Sequence, residues 1–265
     1  NVNGVIKAKG TGLVNLNLAN NGLTISTAGD ITSSAGAVFI AATTLASAGD
    51  VTTGSGNISF GSALNPTGNI AITSTSGNLS MGIVTPGANN LTINQGTGTV
   101  ALGGSFSATS GNLSITTTNV TASAINIAAT TGTSVSTTGS VSLNAAGNIS
   151  IAGSVSAGSV NVRSTAGDIS FGSSVTTSQV GGFTSEATSS SRATNIGSLV
   201  HVQNGANALV TGNLVTNSSN AILQVGSNGS IGITGKVDAA NPGNDLNLIA
   251  VNGAITIGGA VGSGA

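Results

Sequence analysis

Apolar residues recur along this chain in pairs with one small residue between them. Ile58-Ser59-Phe60, Ile70-Ala71-Ile72, Leu113-Ser114-Ile115, Ile231-Gly232-Ile233 and Ile255-Thr256-Ile257 are examples. Apolar residues at every second position mark a short strand with one face turned inward. Ahead of many of these sites stands Gly followed by Asn or Asp: Gly29-Asp30, Gly49-Asp50, Gly56-Asn57, Gly77-Asn78, Gly111-Asn112, Gly147-Asn148, Gly167-Asp168 and Gly212-Asn213. Gly reaches positive φ without steric cost and Asx side chains bond the nearby backbone, so each pair predicts a turn.

The strand and turn unit repeats. Gly139–Val155 aligns with Gly158–Val175, placing Ile149 on Ile169 and Val155 on Val175. Extended along the chain, the repeat gives three columns of inward sites. One runs Ile31, Val51, Ile70, Leu91, Leu113, Val135, Val155, Val175, Ile196, Leu214, Val237 and Val261. A second runs Val38, Ile58, Leu79, Val100, Val120, Val141, Val160, Val200, Ile222 and Leu246. The third runs Leu45, Leu64, Val84, Phe106, Ile125, Ile149, Ile169, Leu209, Ile231 and Ile255. Helix is excluded because Gly, Ser, Thr, Asn, Val and Ile are poor or middling helix formers and no 3.6-residue stripe persists. A three-site unit recurring at nearly one length predicts coils stacked on their copies. The expected fold is all-β: a right-handed, single-stranded parallel β-helix (β-solenoid) of about 12 coils of about 20 residues, with three short strands per coil. It is expected to run continuously over 1–265 with an irregular coil or loop at 176–199.

Composition narrows what such a rod does. Of 265 residues only 4% are charged, with 5 Lys and Arg against 6 Asp and Glu, and there is no Cys, Trp or Tyr. Lys7, Lys9, Arg163, Arg192 and Lys236 are scattered, so no basic face for nucleic acid is expected. Zinc and thiol chemistry need ligands that zero Cys and one His do not supply, and no cofactor is expected. The richest apolar run, 37–46, is too short to span a bilayer as a helix, so the chain is read as not transmembrane. No leader precedes Asn1, which reads as a mature, excised or internal segment.

The position ahead of the first column reads Asp30, Asp50, Asn69, Asn90, Asn112, Ser134, Ser154, Ser174, Asn195 and Asn213. Stacked one per coil, these form an Asx ladder whose amides bond along the rod. The alternative is that Asp30 and Asp50 act as a carboxylate pair for a cation or for sugar hydrolysis. The segment 176–199 holds the sole Glu, Glu186, with Arg192 and a Ser run, and His201 follows it. A solvated, distorted coil is one reading of these three residues. A protruding loop that contacts a partner is the other. His201 is read as a partly exposed strand residue, with a catalytic role as the alternative.

Gly147-Asn148-Ile149-Ser150-Ile151 and Gly167-Asp168-Ile169-Ser170-Phe171 resemble the repeats of filamentous-haemagglutinin-like exoproteins, large bacterial surface adhesins, over about residues 23–261. The resemblance implies a right-handed β-helix, secretion to the cell surface, and a structural or adhesive role without catalytic residues. The partner classes that follow are a glycan or another host-surface ligand, and end-to-end self-association or continuation in a longer chain. Asn1-Val2-Asn3-Gly4-Val5 resembles the secretion-domain motif of that family, less its Pro. Two other classes of solenoid stay open. Ice-binding solenoids carry flat Thr rows, and here Thr73, Thr75, Thr116 and Thr118 do not recur at one column position. Polysaccharide-active β-helical enzymes use aromatic platforms, which zero Trp and Tyr oppose.

Overall fold

The computed structural model describes residues 1–18, 21–121, 123–128 and 134–262. The expected rod of 1–265 also takes in 19–20, 122, 129–133 and 263–265, which lie outside the described residues. The chain is all-β, with no helix among the described residues. It is a parallel β-solenoid of about 11 turns, three strands per coil, with successive turns about 23 residues apart. At the usual spacing of about 4.8 Å the stack is on the order of 50 Å long.

Strands pass through three sheets in rotation. Ile6–Ala8 opens the first sheet, Val14–Leu18 the second and Leu23–Ile25 the third, and Ile31–Ser33 returns to the first. The first sheet holds 12 strands and the others 11 each, every strand pairing in parallel with the strands one turn away. Alternation drives this. In Ile58–Phe60, Leu79–Met81 and Ile169–Phe171 the outer two residues are buried and the middle one is not. The inward residues stack on like residues: Ile125 on Ile149, Ile149 on Ile169, Val135 on Val155. Each aliphatic side chain removed from water contributes about 1.5–3 kcal/mol, repeated at every level of a core one side chain deep.

The expected columns hold in stretches and change sheet twice. The first column follows the first sheet to Leu113, then continues as Val135, Val155 and Val175 in the third, and as Ile196, Leu214 and Val237 in the second. The true partner of Leu113 is Val141, in a coil where equivalent positions lie 28 residues apart. Counting on at about 20 residues lands one strand early, so the estimate of twelve coils becomes about eleven longer ones. Three members of the columns do not face inward. Val120 stands 74% exposed outside any strand, while Leu209 and Ile222 lie on outer faces beside the inward Ala208, Val210, Ala221 and Leu223. A shift of one residue reverses the face of every side chain in a strand.

The segment 176–199 contains the strands Phe183–Ala187 and Ala193–Ile196, in register with both neighbours. Phe183 and Phe171 meet inside the coil with ring centroids 5.3 Å apart and planes tilted by 59°. At the same level Ser185 takes the place held by Val162 and Val210, and Thr194 that of Ile169 and Leu214. Small side chains there offset the volume of the two rings, and the buried hydroxyls bond each other at 2.8 Å.

Candidate functional site

The most regular polar arrangement lies at the corner entering the first sheet. There a backbone N–H at or just ahead of the start of each strand needs an acceptor. Asp30 Oδ1 accepts from Asp50 N at 3.0 Å, and Asp50 Oδ1 from Ala71 N at 2.7 Å. Asn69 Oδ1 accepts from Asn90 N at 2.8 Å, Asn90 Oδ1 from Asn112 N at 2.9 Å, and Asn112 Oδ1 from Ser140 N at 2.7 Å. In this ladder a side-chain oxygen accepts the backbone N–H of the following coil. A direct amide-to-amide bond joins Asn112 Nδ2 to Asn90 Oδ1 at 3.0 Å.

The continuation of the ladder differs from the expected row. Ser134 and Ser154 open strands of the third sheet, Ser174 precedes another, and Asn195 and Asn213 belong to strands of the second sheet. A second ladder at the corner entering the second sheet was missed. It runs from Asn57 to Asn78 to Thr99 at 2.9 Å each, and from Asn148 to Asp168 to Ala193 at 2.9 Å each. The recurring Gly-Asx pairs were its signal. They mark two corners of the coil, and the single row followed the first corner to Asn112 and left out Asn57, Asn78, Asn148 and Asp168.

The glycine of these pairs has a different cause from the one expected. Of the eight quoted above only Gly212 has positive φ, at 95°. Gly77 is required by contact: a Cβ there would lie 1.9 Å from the carbonyl oxygen of Gly56, one coil away. A further row missed in the sequence is buried. Ser33, Thr53, Ser74, Gln95 and Thr117 stack at the inner end of the first-sheet strands. The Thr53 hydroxyl donates to Gly56 O at 2.7 Å and the Thr117 hydroxyl to Gly98 O at 2.9 Å, tying the corner shut from inside.

The charged residues of the 176–199 region sit on the stack and pair with the preceding coil. Glu186 is on the outer face of its strand, directly below Arg163, with Oε2 3.3 Å from Arg163 Nε. Arg192 Nη1 is 3.3 Å from Asp168 Oδ2. The two pairs join the same two coils with their charges in opposite order. His201 lies in Leu199–Val202 of the third sheet, between Thr176 and Gln224 and half-buried. The structure therefore places Glu186, Arg192 and His201 on different elements. No group of three or more His, Asp or Glu able to hold a metal is present among the described residues.

The outer face of the first sheet corrects one reading of the sequence. Thr32, Thr52 and Thr73 fall in one rank, continued by Asn94, Thr116 and Asn144, so Thr does recur at one position. The alongside rank is Thr92, Ser114, Ser142 and Asn161. No family model, no curated protein and no solved structure matches this chain.

Proposed function

We propose that this chain is a structural, non-catalytic section of an extracellular bacterial surface filament or adhesin stalk, of the filamentous-haemagglutinin-like kind. The observation that carries the reading is the uniform stack: three parallel sheets in which uncharged Ser, Thr and Asn form continuous outer ranks. A rod of this kind sets length and spacing. With 4% charge it has little electrostatic repulsion to keep it from packing on its own kind. A parallel edge with apolar inward positions is a template for one more coil, supplied either by continuation in a longer chain or by a second rod joined end to end through the same ladder. Negative-stain microscopy and sedimentation velocity of the purified chain test this. Particles that lengthen with concentration in multiples of one rod are expected. A concentration-independent monomer with no end-to-end contacts overturns the joining, and failure of antibodies to label intact producing cells overturns the surface location.

A second reading rests on the Thr rank. Thr32, Thr52 and Thr73, repeated at strand spacing on a parallel sheet, are a surface on which an ice-binding solenoid is built. Thermal hysteresis that is lost in Thr52→Lys would favour it, and its absence at millimolar protein removes it.

A further inference from the structure

We infer that a groove on the outer face of the first sheet, between the 179–182 turn and Leu209, binds a short neutral saccharide. Along most of this face the outer ranks are small and polar, as in Thr92, Ser114, Ser142 and Asn161. Below Asn161 the rank becomes Thr184, Leu209 and Gly232. Leu209 is 40% exposed in a rank otherwise of small side chains, with the Arg163–Glu186 pair in the next rank, and Gly232 beside it leaves the floor bare.

The opposite wall is the turn that carries Val180, 87% exposed. That turn is held in place. Gln179 Nε2 donates to Thr138 O at 2.7 Å, two coils back, and Gly182 N donates to Gln179 O at 3.1 Å. Gly182 has a φ of 61°, and a Cβ there would lie 2.3 Å from Asn207 O. Two large aliphatic side chains exposed on one groove are a feature for contact, since core packing uses neither.

The groove has a volume of about 420 Å³, within the range of small-molecule sites. No charged residue lines it, so an ionic ligand gains nothing there. Its polar side chains are Thr184, Asn207, Ser230 and Thr256, with Asn207 Oδ1 fixed by Ser230 N–H at 2.9 Å and Nδ2 left to donate. Two aliphatic patches beside neutral donors and acceptors match a sugar ring, which has a C–H face and a hydroxyl edge. The lining residues include no carboxylate and no His, so the groove retains its ligand without cleaving it. This names a ligand class for the adhesive reading, on which it rests for its setting.

Methyl-labelled full chain, titrated with cellotriose, maltotriose and tri-N-acetylchitotriose, tests it by nuclear magnetic resonance. Saturable shifts at the Val180 and Leu209 methyls are expected with at least one of the three. Gly232→Val fills the floor, and its Cβ meets only Leu209 Cδ1 at 3.4 Å, so the coil keeps its shape while binding weakens about tenfold or more. Val180→Ser, at a position outside the core, should also weaken binding with an unchanged melting temperature. No saturable shift with any of the sugars, or shifts that persist undiminished in both variants, overturns the inference. So do Val180 and Leu209 shifts that follow protein concentration without sugar, which would make a second copy the occupant. Rod joining is read separately by microscopy, so either idea fails without the other.

Discussion

Asn90 shows what one side chain contributes at a corner. Its Oδ1 takes both the backbone N–H and the side-chain Nδ2 of Asn112. Asn90→Ala leaves that N–H without its acceptor, and a lowered urea midpoint equivalent to about 1 kcal/mol is expected. Asn90→Asp keeps the oxygen and should stay near the parent, which separates the hydrogen bond from mere bulk. Gly77 fails differently: its Cβ would collide with a backbone oxygen that cannot swing aside. Gly77→Ala should therefore destabilise by about 2 kcal/mol or more, as overpacking of a closed interior does. The Gly-Asx motif was readable as punctuation in the sequence. Why Gly is needed was not, because the obstructing atom belongs to a residue about 20 positions away.

Individual strands are three to six residues long and too short to hold shape alone; they persist through their ladders. The level of Phe183–Ala187 is the most specialised, with Phe171 and Phe183 in contact and Ser185 bonded to Thr194. Ser185→Val alone strands the Thr194 hydroxyl in the core, and a loss of about 1–2 kcal/mol is expected. Adding Thr194→Val should recover much of it in a double-mutant cycle of urea midpoints, since the polar pair then leaves together. An unchanged stability in the single variant would show that the hydroxyl finds another partner. The ion pairs at the same coils are a weaker constraint. Arg163 and Arg192 are about half exposed, at 49% and 44%, and such pairs contribute about 0–1 kcal/mol each. They set register more than stability, because their reversed order opposes any slip of one coil along the other. Nothing in a single sequence links Ser185 to Thr194 or Arg163 to Glu186; both links exist only once the coil closes.

Over the whole molecule, each coil touches its neighbours and little else, so stability is a chain of local interfaces rather than one cooperative core. Ile169 has no exposed surface and lies between Ile149 and Thr194. Ile169→Asp buries an unpaired charge, and folding around it should fail. Hydrogen exchange should then show protection lost across about residues 149–196 and kept in the coils from Ile31 to Ile115. Uniform loss along the whole rod would mean that the stack melts as one unit. The sequence by itself determined the class of fold and the small uncharged surface: period-2 alternation fixes strand and face locally, and a unit repeated about a dozen times has stacking as its compact solution. Tertiary structure decided which copy stacks on which. A coil with 28 residues between equivalent positions and another with 25 move every later site to a different sheet, and loop closure over a few extra residues costs too little for composition to betray it. Only the closed coil therefore brings Thr32, Thr52 and Thr73 into one rank, and Val180 opposite Leu209.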